Sequence, residues 1–160
     1  MLTVVQNHSD HYSGLDDIAT EKRRLVESLP RDGLAVLNAD VEHVRDMARQ
    51  APCRVFTFGQ TPGSDLFIDN IDGAWPERLR FRATYGQEPV DVRTRLVGRH
   101  QWTPAAGALA VAVNLGVNLT DAAAALSRVA PHTARLEPVR LPGGAMLCDY
   151  CSALGFKAFR

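Results

Sequence analysis

The chain has 160 residues, of which 46% are hydrophobic and 22% are charged, and these values predict one globular domain over residues 1–160. The formal charge is zero, so electrostatics gives no reason to expect nucleic acid or an anionic membrane as a partner. No apolar run is long enough to span a membrane and no signal peptide is evident, so the expected compartment is the cytoplasm.

The N-terminal residues predict a buried strand followed by a polar segment. Residues 2–5 are β-rich, and a strand over 2–6 is expected to have incomplete neighbours. His8, Asp10 and His11 follow within a few residues and could form a small metal cluster by themselves.

A helix is predicted over residues 15–29, with Ser13 and Asp16 forming an S-x-x-D box at its start. Its apolar residues have helical spacing and form one stripe, at Leu15, Ile18, Ala19, Leu25, Val26 and Leu29. Lys22 lies on the same stripe, and an unpaired buried ammonium is unfavourable. Either its stem reaches past the stripe to water, or the amine has a chemical task.

The following residues alternate between short strands and helices, a pattern that predicts parallel βαβ units. Strands are expected over 34–37 and 53–58, with a helix over 41–50 between them. Three further β-like runs, at 66–71, 78–84 and 90–96, are separated by turn residues and predict a small antiparallel side sheet.

Two aromatic residues of this side sheet, Trp75 and Phe81, are expected to form its core, and a stacking platform is the alternative. An Ala-rich helix with Pro104 in its first turn and Gly116 at its end follows, and then another helix over 121–129 and a β-hairpin over 137–148. Cys148 and Cys151 form a lone C-x-x-C, which is typical of a dithiol site but also of two free thiols.

The chain contains no G-x-x-x-x-G-K-[ST] loop, so the backbone amides and lysine that cradle nucleotide phosphates are absent from these 160 residues. Four other motifs nevertheless resemble the middle domain of the Mur ligase family in order and spacing. They are Asp10-His11, Ile18-Ala19-x-x-Lys22, Leu29-Pro30-x-Asp32-Gly33 and Val36-Leu37-Asn38-Ala39-Asp40. Within the family, the general character is similar to the UDP-N-acetylmuramoyl-tripeptide–D-alanyl-D-alanine ligase branch.

The resemblance implies a magnesium site. In the family, the histidine of the first motif binds Mg²⁺ and the lysine of the second is carbamylated and helps to hold the metal, which implies His11 and Lys22 here. It also offers a reason for a lysine on an apolar stripe, because the neutral amine reacts with carbon dioxide and yields an oxygen ligand that Mg²⁺ prefers.

The resemblance also implies contacts to ATP. The family motif G-x-H-N-x-x-N-A-x-A-A aligns with residues 98–108, where Gly98 and His100 fit but Gln101 and Pro104 replace the two asparagines. Cofactor-binding roles are therefore expected for His100 and Gln101, with Gln101 in the place of the asparagine that reads adenine.

Two residues of the predicted hairpin complete the implied nucleotide contacts. Arg135-Leu136-Glu137 is similar to the family's G-R-L/M-E, whose arginine touches phosphate, although a surface arginine is the alternative. Asp149-Tyr150 is similar to the start of the family's ribose-binding motif, whose remainder is not present here.

The expected fold is therefore α/β: part of a three-layer Mur ligase middle domain, mostly parallel, with a small antiparallel side sheet and without the phosphate-loop portion. The family activates a carboxylate with ATP as an acyl phosphate and forms an amide in peptidoglycan precursors. The resemblance implies ATP, Mg²⁺ and a UDP-linked peptide substrate, and a complementary chain that carries the missing domains is one expected partner. The missing phosphate loop and the altered motifs predict inactivity for this chain alone. The alternative is a non-catalytic interaction module that retains the ligase fold.

Overall fold

The computed structural model describes residues 14–132, 135–144 and 146–150, and all structural statements below refer to those ranges. The helices are α1 (Leu15–Glu27), α2 (Glu42–Ala48), α3 (Trp102–Asn114) and α4 (Leu119–Leu126), with a 3₁₀ turn at Arg99–Gln101. The strands are β1 (Leu34–Asn38), β2 (Arg54–Gly59), β3 (Leu66–Asp72), β4 (Arg78–Tyr85), β5 (Glu88–Val97), β6 (Arg135–Arg140) and β7 (Met146–Tyr150).

Five strands form one mixed sheet in the order β1-β2-β3-β4-β5. The pairs β1–β2 and β2–β3 are parallel, whereas β3–β4 and β4–β5 are antiparallel. The α/β prediction is confirmed, and the three antiparallel strands continue the main sheet instead of forming a separate one. The parallel pairing of β2 with β3, which joins the two halves of the sheet, is short and consists of Phe58↔Leu66 and Gly59↔Phe67.

The predicted hairpin is present as a second, two-stranded sheet. Strands β6 and β7 are antiparallel, with Pro138 opposite Cys148 and Arg140 opposite Met146. Gly143 and Gly144 lie in the intervening turn and both have positive φ, which favours glycine.

Side-chain alternation along β1 and β2 directs residues to two different cores. One core contains α1 and α2 together with one face of β1, and its buried members are Ile18, Ala19, Val26, Ala35, Leu37, Val44 and Met47. The larger core joins α3 and α4 to the other face of the sheet, with Phe58, Leu66, Ile68, Leu79 and Leu109 among its most buried residues. The parallel half of the sheet is therefore covered by helices on both faces.

The first helix begins at Leu15 as predicted and ends two residues earlier than predicted, at Glu27. Its N-cap is Gly14, which has no side chain, and Ser13 of the S-x-x-D box lies outside the described residues. Ile18, Ala19 and Val26 are buried as expected, but Leu15 and Leu25 are 41% and 59% exposed. The apolar stripe is narrower than the spacing predicts because α2 and β1 cover only part of its width.

The aromatic prediction is half correct. Phe81 is 2% exposed in the larger core, whereas Trp75 is 46% exposed, so its assignment to the core is wrong. Trp75 lies in the connection between β3 and β4, where its ring centroid is 6.0 Å from Cζ of Arg78.

Across the described residues, no helix has both the length and the apolar composition needed to cross a bilayer.

Candidate functional site

The carboxyl ends of the two parallel strands β1 and β2 meet at one edge of the sheet, where ligand sites of α/β sheets commonly form. Asn38 ends β1 and is 3% exposed, and its Oδ1 accepts a hydrogen bond of 2.9 Å from the backbone N–H of Asp40. Gly59 ends β2, and the chain then turns through Gln60 and Thr61. The two strand ends therefore bring an amide, a carboxylate and a hydroxyl together.

The Asp40 carboxylate joins these strand ends. Its Oδ2 accepts from the backbone N–H of Gln60 at 2.9 Å, and its Oδ1 accepts from the N–H and the hydroxyl of Thr61, both at 2.8 Å. A Cβ at Gly59 would lie 2.6 Å from Asp40 Oδ1, so only glycine permits this approach. Asp40 therefore has a structural role: its carboxylate holds the segment after β1 against the segment after β2.

A small cavity of about 180 Å³ lies beside this edge, and its lining includes Arg45 of α2. Its hydroxyls are engaged within the protein: Thr57 Oγ1 donates to Asp65 Oδ2 at 2.7 Å, and Ser64 Oγ donates to the carbonyl of Thr61 at 2.7 Å. The cavity therefore offers few uncommitted polar groups to a ligand.

Lys22 lies at the middle of α1 and is half-buried, between the buried residues Ile18 and Val26. Its predicted metal partner, His11, lies outside the described residues, as do His8 and Asp10. Within the described ranges, no three side chains of His, Cys, Asp or Glu are grouped closely enough to hold a metal ion. The described part of the implied magnesium site thus consists of Lys22 alone.

His100 and Gln101 lie together in the 3₁₀ turn that leads into α3. Gly98 precedes them with φ of 91°, and a Cβ there would lie 2.6 Å from Cε1 of His100, so the glycine makes room for the imidazole ring. Pro104 is the third residue of α3, in the first turn, where its missing N–H has no helical partner to lose. This helix packs on the face of the sheet opposite α1.

Arg135 and Asp149 lie on the two paired strands of the hairpin. The backbone register places Arg135 opposite Tyr150 and Asp149 opposite Glu137, so the two predicted residues are close neighbours along the ladder. Their side chains are not among those described. Cys148 also lies on β7, while its C-x-x-C partner Cys151 and the predicted strand over 2–6 fall outside the described residues.

The antiparallel half of the sheet has its own charged groups, which sequence reasoning missed. Arg80 Nη2 lies 2.6 Å from Asp72 Oδ2, and Arg82 Nε lies 2.9 Å from Asp91 Oδ1. Hydrogen bonds from these arginines hold the pKa values of Asp72 and Asp91 below their usual range. Alternation of arginine with apolar residues along β4 was the available signal for such a face.

The mixed sheet, with helices on both faces of its parallel half, defines an α/β domain. A family model described as "Mur ligase middle domain" matches residues 1–112. The chain belongs to the Mur ligase family.

Individual relatives agree with this assignment. A UDP-N-acetylmuramate–L-alanine ligase of Rhizobium meliloti is 37% identical over 128 residues, covering 75% of this chain and 27% of that protein. A UDP-N-acetylmuramoyl-tripeptide–D-alanyl-D-alanine ligase of Mycobacterium bovis is 30% identical over 131 residues, covering 82% of this chain and 26% of that protein. The chain thus spans about a quarter of the length of these relatives, and the branch named from the sequence is represented among them.

Solved structures share the fold. MurF from Acinetobacter baumannii superposes with a TM-score of 0.82 at 23% identity, over 92% of this chain and 32% of that one. A MurF ligase from Thermotoga maritima in complex with ADP superposes with a TM-score of 0.71 at 17% identity, over 91% of this chain and 33% of that one.

Proposed function

We propose that this chain supplies one part of an ATP-dependent amide ligase that acts on UDP-linked cell-wall precursors in the cytoplasm. The observation that carries the proposal is the family match over residues 1–112, which includes α1 with Lys22 and the carboxyl ends of β1 and β2. The relatives that match are ligases of UDP-N-acetylmuramate and its peptides by name. The reaction would activate a carboxylate with ATP as an acyl phosphate, which an amine attacks to give the amide, ADP and phosphate.

In this proposal His11 and Lys22 hold the magnesium ion, with Lys22 as its carbamate. Lys22 is half-buried between the buried residues Ile18 and Val26 of α1, which is the position that the family motif implies for it. The bound ion would neutralise charge on the nucleotide phosphates.

Carbamylation has a direct test, because the chain has only two lysines, Lys22 and Lys157. In ¹³C-bicarbonate, the carbon NMR spectrum should show a carbamate signal that disappears in Lys22→Arg and persists in the matched control Lys157→Arg. The N-terminal amine contributes equally to both variants and is therefore not a source of the difference. A signal unchanged by Lys22→Arg would show that Lys22 keeps a free amine and has a structural role.

The nucleotide contacts proposed for this chain are His100 and Gln101 at the start of α3, and Arg135 and Asp149 on the hairpin. Supporting observations are the shared turn of the first pair and the paired strands of the second. In this proposal Gln101 and Pro104, which replace the family's asparagines, weaken the adenine contact. Most of the remaining nucleotide binding is therefore expected from the phosphate and ribose contacts of Arg135 and Asp149.

The 160-residue chain alone should bind ATP weakly. A hydrogen bond to a charged group contributes about 1.5–3 kcal/mol, so Arg135 and Asp149 together give at most roughly 6 kcal/mol. Association entropy removes at least about 4 kcal/mol, which leaves dissociation constants in the millimolar range or weaker. Isothermal titration with magnesium-ATP measures this directly. Low micromolar binding would place a complete nucleotide site within the chain and would contradict the inactivity proposed for it.

The second candidate is a non-catalytic interaction module that retains the ligase fold. The observation that favours it is the loss of both adenine-region asparagines at Gln101 and Pro104, together with the absence of a phosphate loop from these residues. Co-expression with a polypeptide that carries such a loop separates the two. Recovered ATP hydrolysis that is lost in Lys22→Ala supports the ligase; a stable complex without turnover supports the module.

A further inference from the structure

A cleft of about 250 Å³ lies between the antiparallel half of the sheet and the hairpin. Its described lining consists of Arg78 of β4, Arg95 of β5, Ala130, Pro131 and Pro138 of β6. The two cations are thus set against small or ring-shaped apolar residues.

The arginines of this cleft differ from their neighbours on the same strands. Arg80 and Arg82 are neutralised by Asp72 and Asp91. Arg78 and Arg95, by contrast, form no ion pair with any residue in the described part of the chain. The positive charge of the cleft is therefore uncompensated by the described side chains that surround it.

The guanidinium of Arg78 is also held in place before any ligand arrives. Its Nη1 donates a hydrogen bond of 3.2 Å to the backbone carbonyl of Arg95, and its Cζ lies 6.0 Å from the ring centroid of Trp75. The register places Arg78 opposite Val97, two residues beyond Arg95, so the two arginines enter the cleft from adjacent strands. An arginine restrained in this way loses less conformational entropy on binding.

The lining selects the kind of ligand. Ala130, Pro131 and Pro138 carry no side-chain donor or acceptor, and the prolines lack a backbone N–H, so the side-chain donors in the described lining are guanidinium groups. Guanidinium forks match the oxygens of phosphate, and both arginines are exposed, so an anion can reach them from solvent. We propose that the Arg78–Arg95 cleft is a binding site for a phosphate-bearing anion, formed by other residues than the nucleotide contacts proposed at Arg135 and Asp149.

Titration of the full chain with inorganic pyrophosphate, followed through the arginine Nε–H signals, tests this proposal. Saturable shifts are expected at Arg78 and Arg95. The double variant Arg78→Gln/Arg95→Gln should weaken the affinity about a hundredfold, because each of the two lost charge-assisted hydrogen bonds corresponds to about a factor of ten. The matched control is Arg93→Gln, an exposed arginine on β5 outside the described lining, which should leave the affinity unchanged.

Three outcomes would overturn the proposal: no saturable shift, a loss of binding in Arg135→Gln with retention in the double variant, or equal affinity for malonate. The last would make the cleft a carboxylate site. The variant Arg78→Lys/Arg95→Lys keeps the charge and removes the fork, so it should retain weak binding. Thermal unfolding of each variant verifies that the fold is intact, and none of these outcomes depends on the ligase activity proposed above.

Discussion

The two halves of the sheet are built differently. The β1–β2 half has α1 and α2 on one face and α3 on the other, so each strand contributes residues to two cores. The β3–β5 half buries one face, through residues such as Ile68, Phe81 and Val92, while the other face of β4 and β5 carries exposed arginines. Parallel strands are usually covered on both faces, and antiparallel strands tolerate water on one. The change of strand direction at β3 therefore divides this domain into a three-layer and a two-layer region.

The largest expected effect comes from the core that the two regions share. Phe58 is fully buried at the end of β2, beside the junction with β3, and packs in the larger core. Phe58→Ala should lower the free energy of unfolding by about 3–5 kcal/mol, because it leaves a cavity that both halves line. Denaturant unfolding measures the loss, with Leu115→Ala, 77% exposed, as the control. A cost below about 1 kcal/mol would mean that the halves do not depend on a common core.

A smaller and more local effect is expected in the other core. Met47 is fully buried between α1, α2 and β1, in a cluster with fewer buried members. Met47→Ala should cost about 2 kcal/mol and should increase hydrogen exchange in α1 and α2 while α3 stays protected. Leu25→Ala, at a 59% exposed position on α1, is the matched control. Equal loss of protection in α3 would show that the three layers unfold as one unit.

The smallest effect concerns acid stability of the two-layer region. The hydrogen bond from Arg80 lowers the pKa of Asp72 below its usual value of 3.8. A carboxyl with a depressed folded pKa contributes stability above 3.8 that is lost as the pH falls through its folded pKa. Asp72→Asn should therefore lower the melting temperature slightly at neutral pH, and the difference from the parent should shrink below about pH 4.

The control for this measurement is Glu88→Gln, an exposed carboxyl of β5 that forms no ion pair in the described part of the chain. A difference between Asp72→Asn and its parent that stays constant from neutral to acid pH would assign the effect to packing and not to the ion pair.

Much of this architecture could be predicted from local patterns. Apolar periodicity predicted the helices and strands because it depends on residues near one another in sequence, and Gly143 and Gly144 marked the hairpin turn. The exposure of Trp75 and Leu25 could not be predicted, since it depends on which elements cover those positions.

The sites show the same limit. Lys22 and Asp149 could be singled out from short motifs, whereas the bonds from Asp40 join segments about twenty residues apart. The cleft at Arg78 and Arg95 depends on the β4–β5 register and on the position of the hairpin. Because no short sequence motif encodes either of these, the cleft could not be predicted from the sequence.

The change of strand direction at β3 also bears on the order in which the domain assembles. Tyr85 pairs with Glu88 across a turn at Gly86, so β4 and β5 close only a minimal loop, whereas β1 pairs with β2 at Leu34↔Arg54 across the whole of α2. Closing a short loop costs less conformational entropy than closing a long one, so the β4–β5 hairpin should form first during folding. Strand β3 should then pair with β4, and β2 with β3. Pulsed hydrogen exchange during refolding should find amides of β4 and β5 protected before those of β1. Simultaneous protection would instead indicate a nucleus that spans both halves.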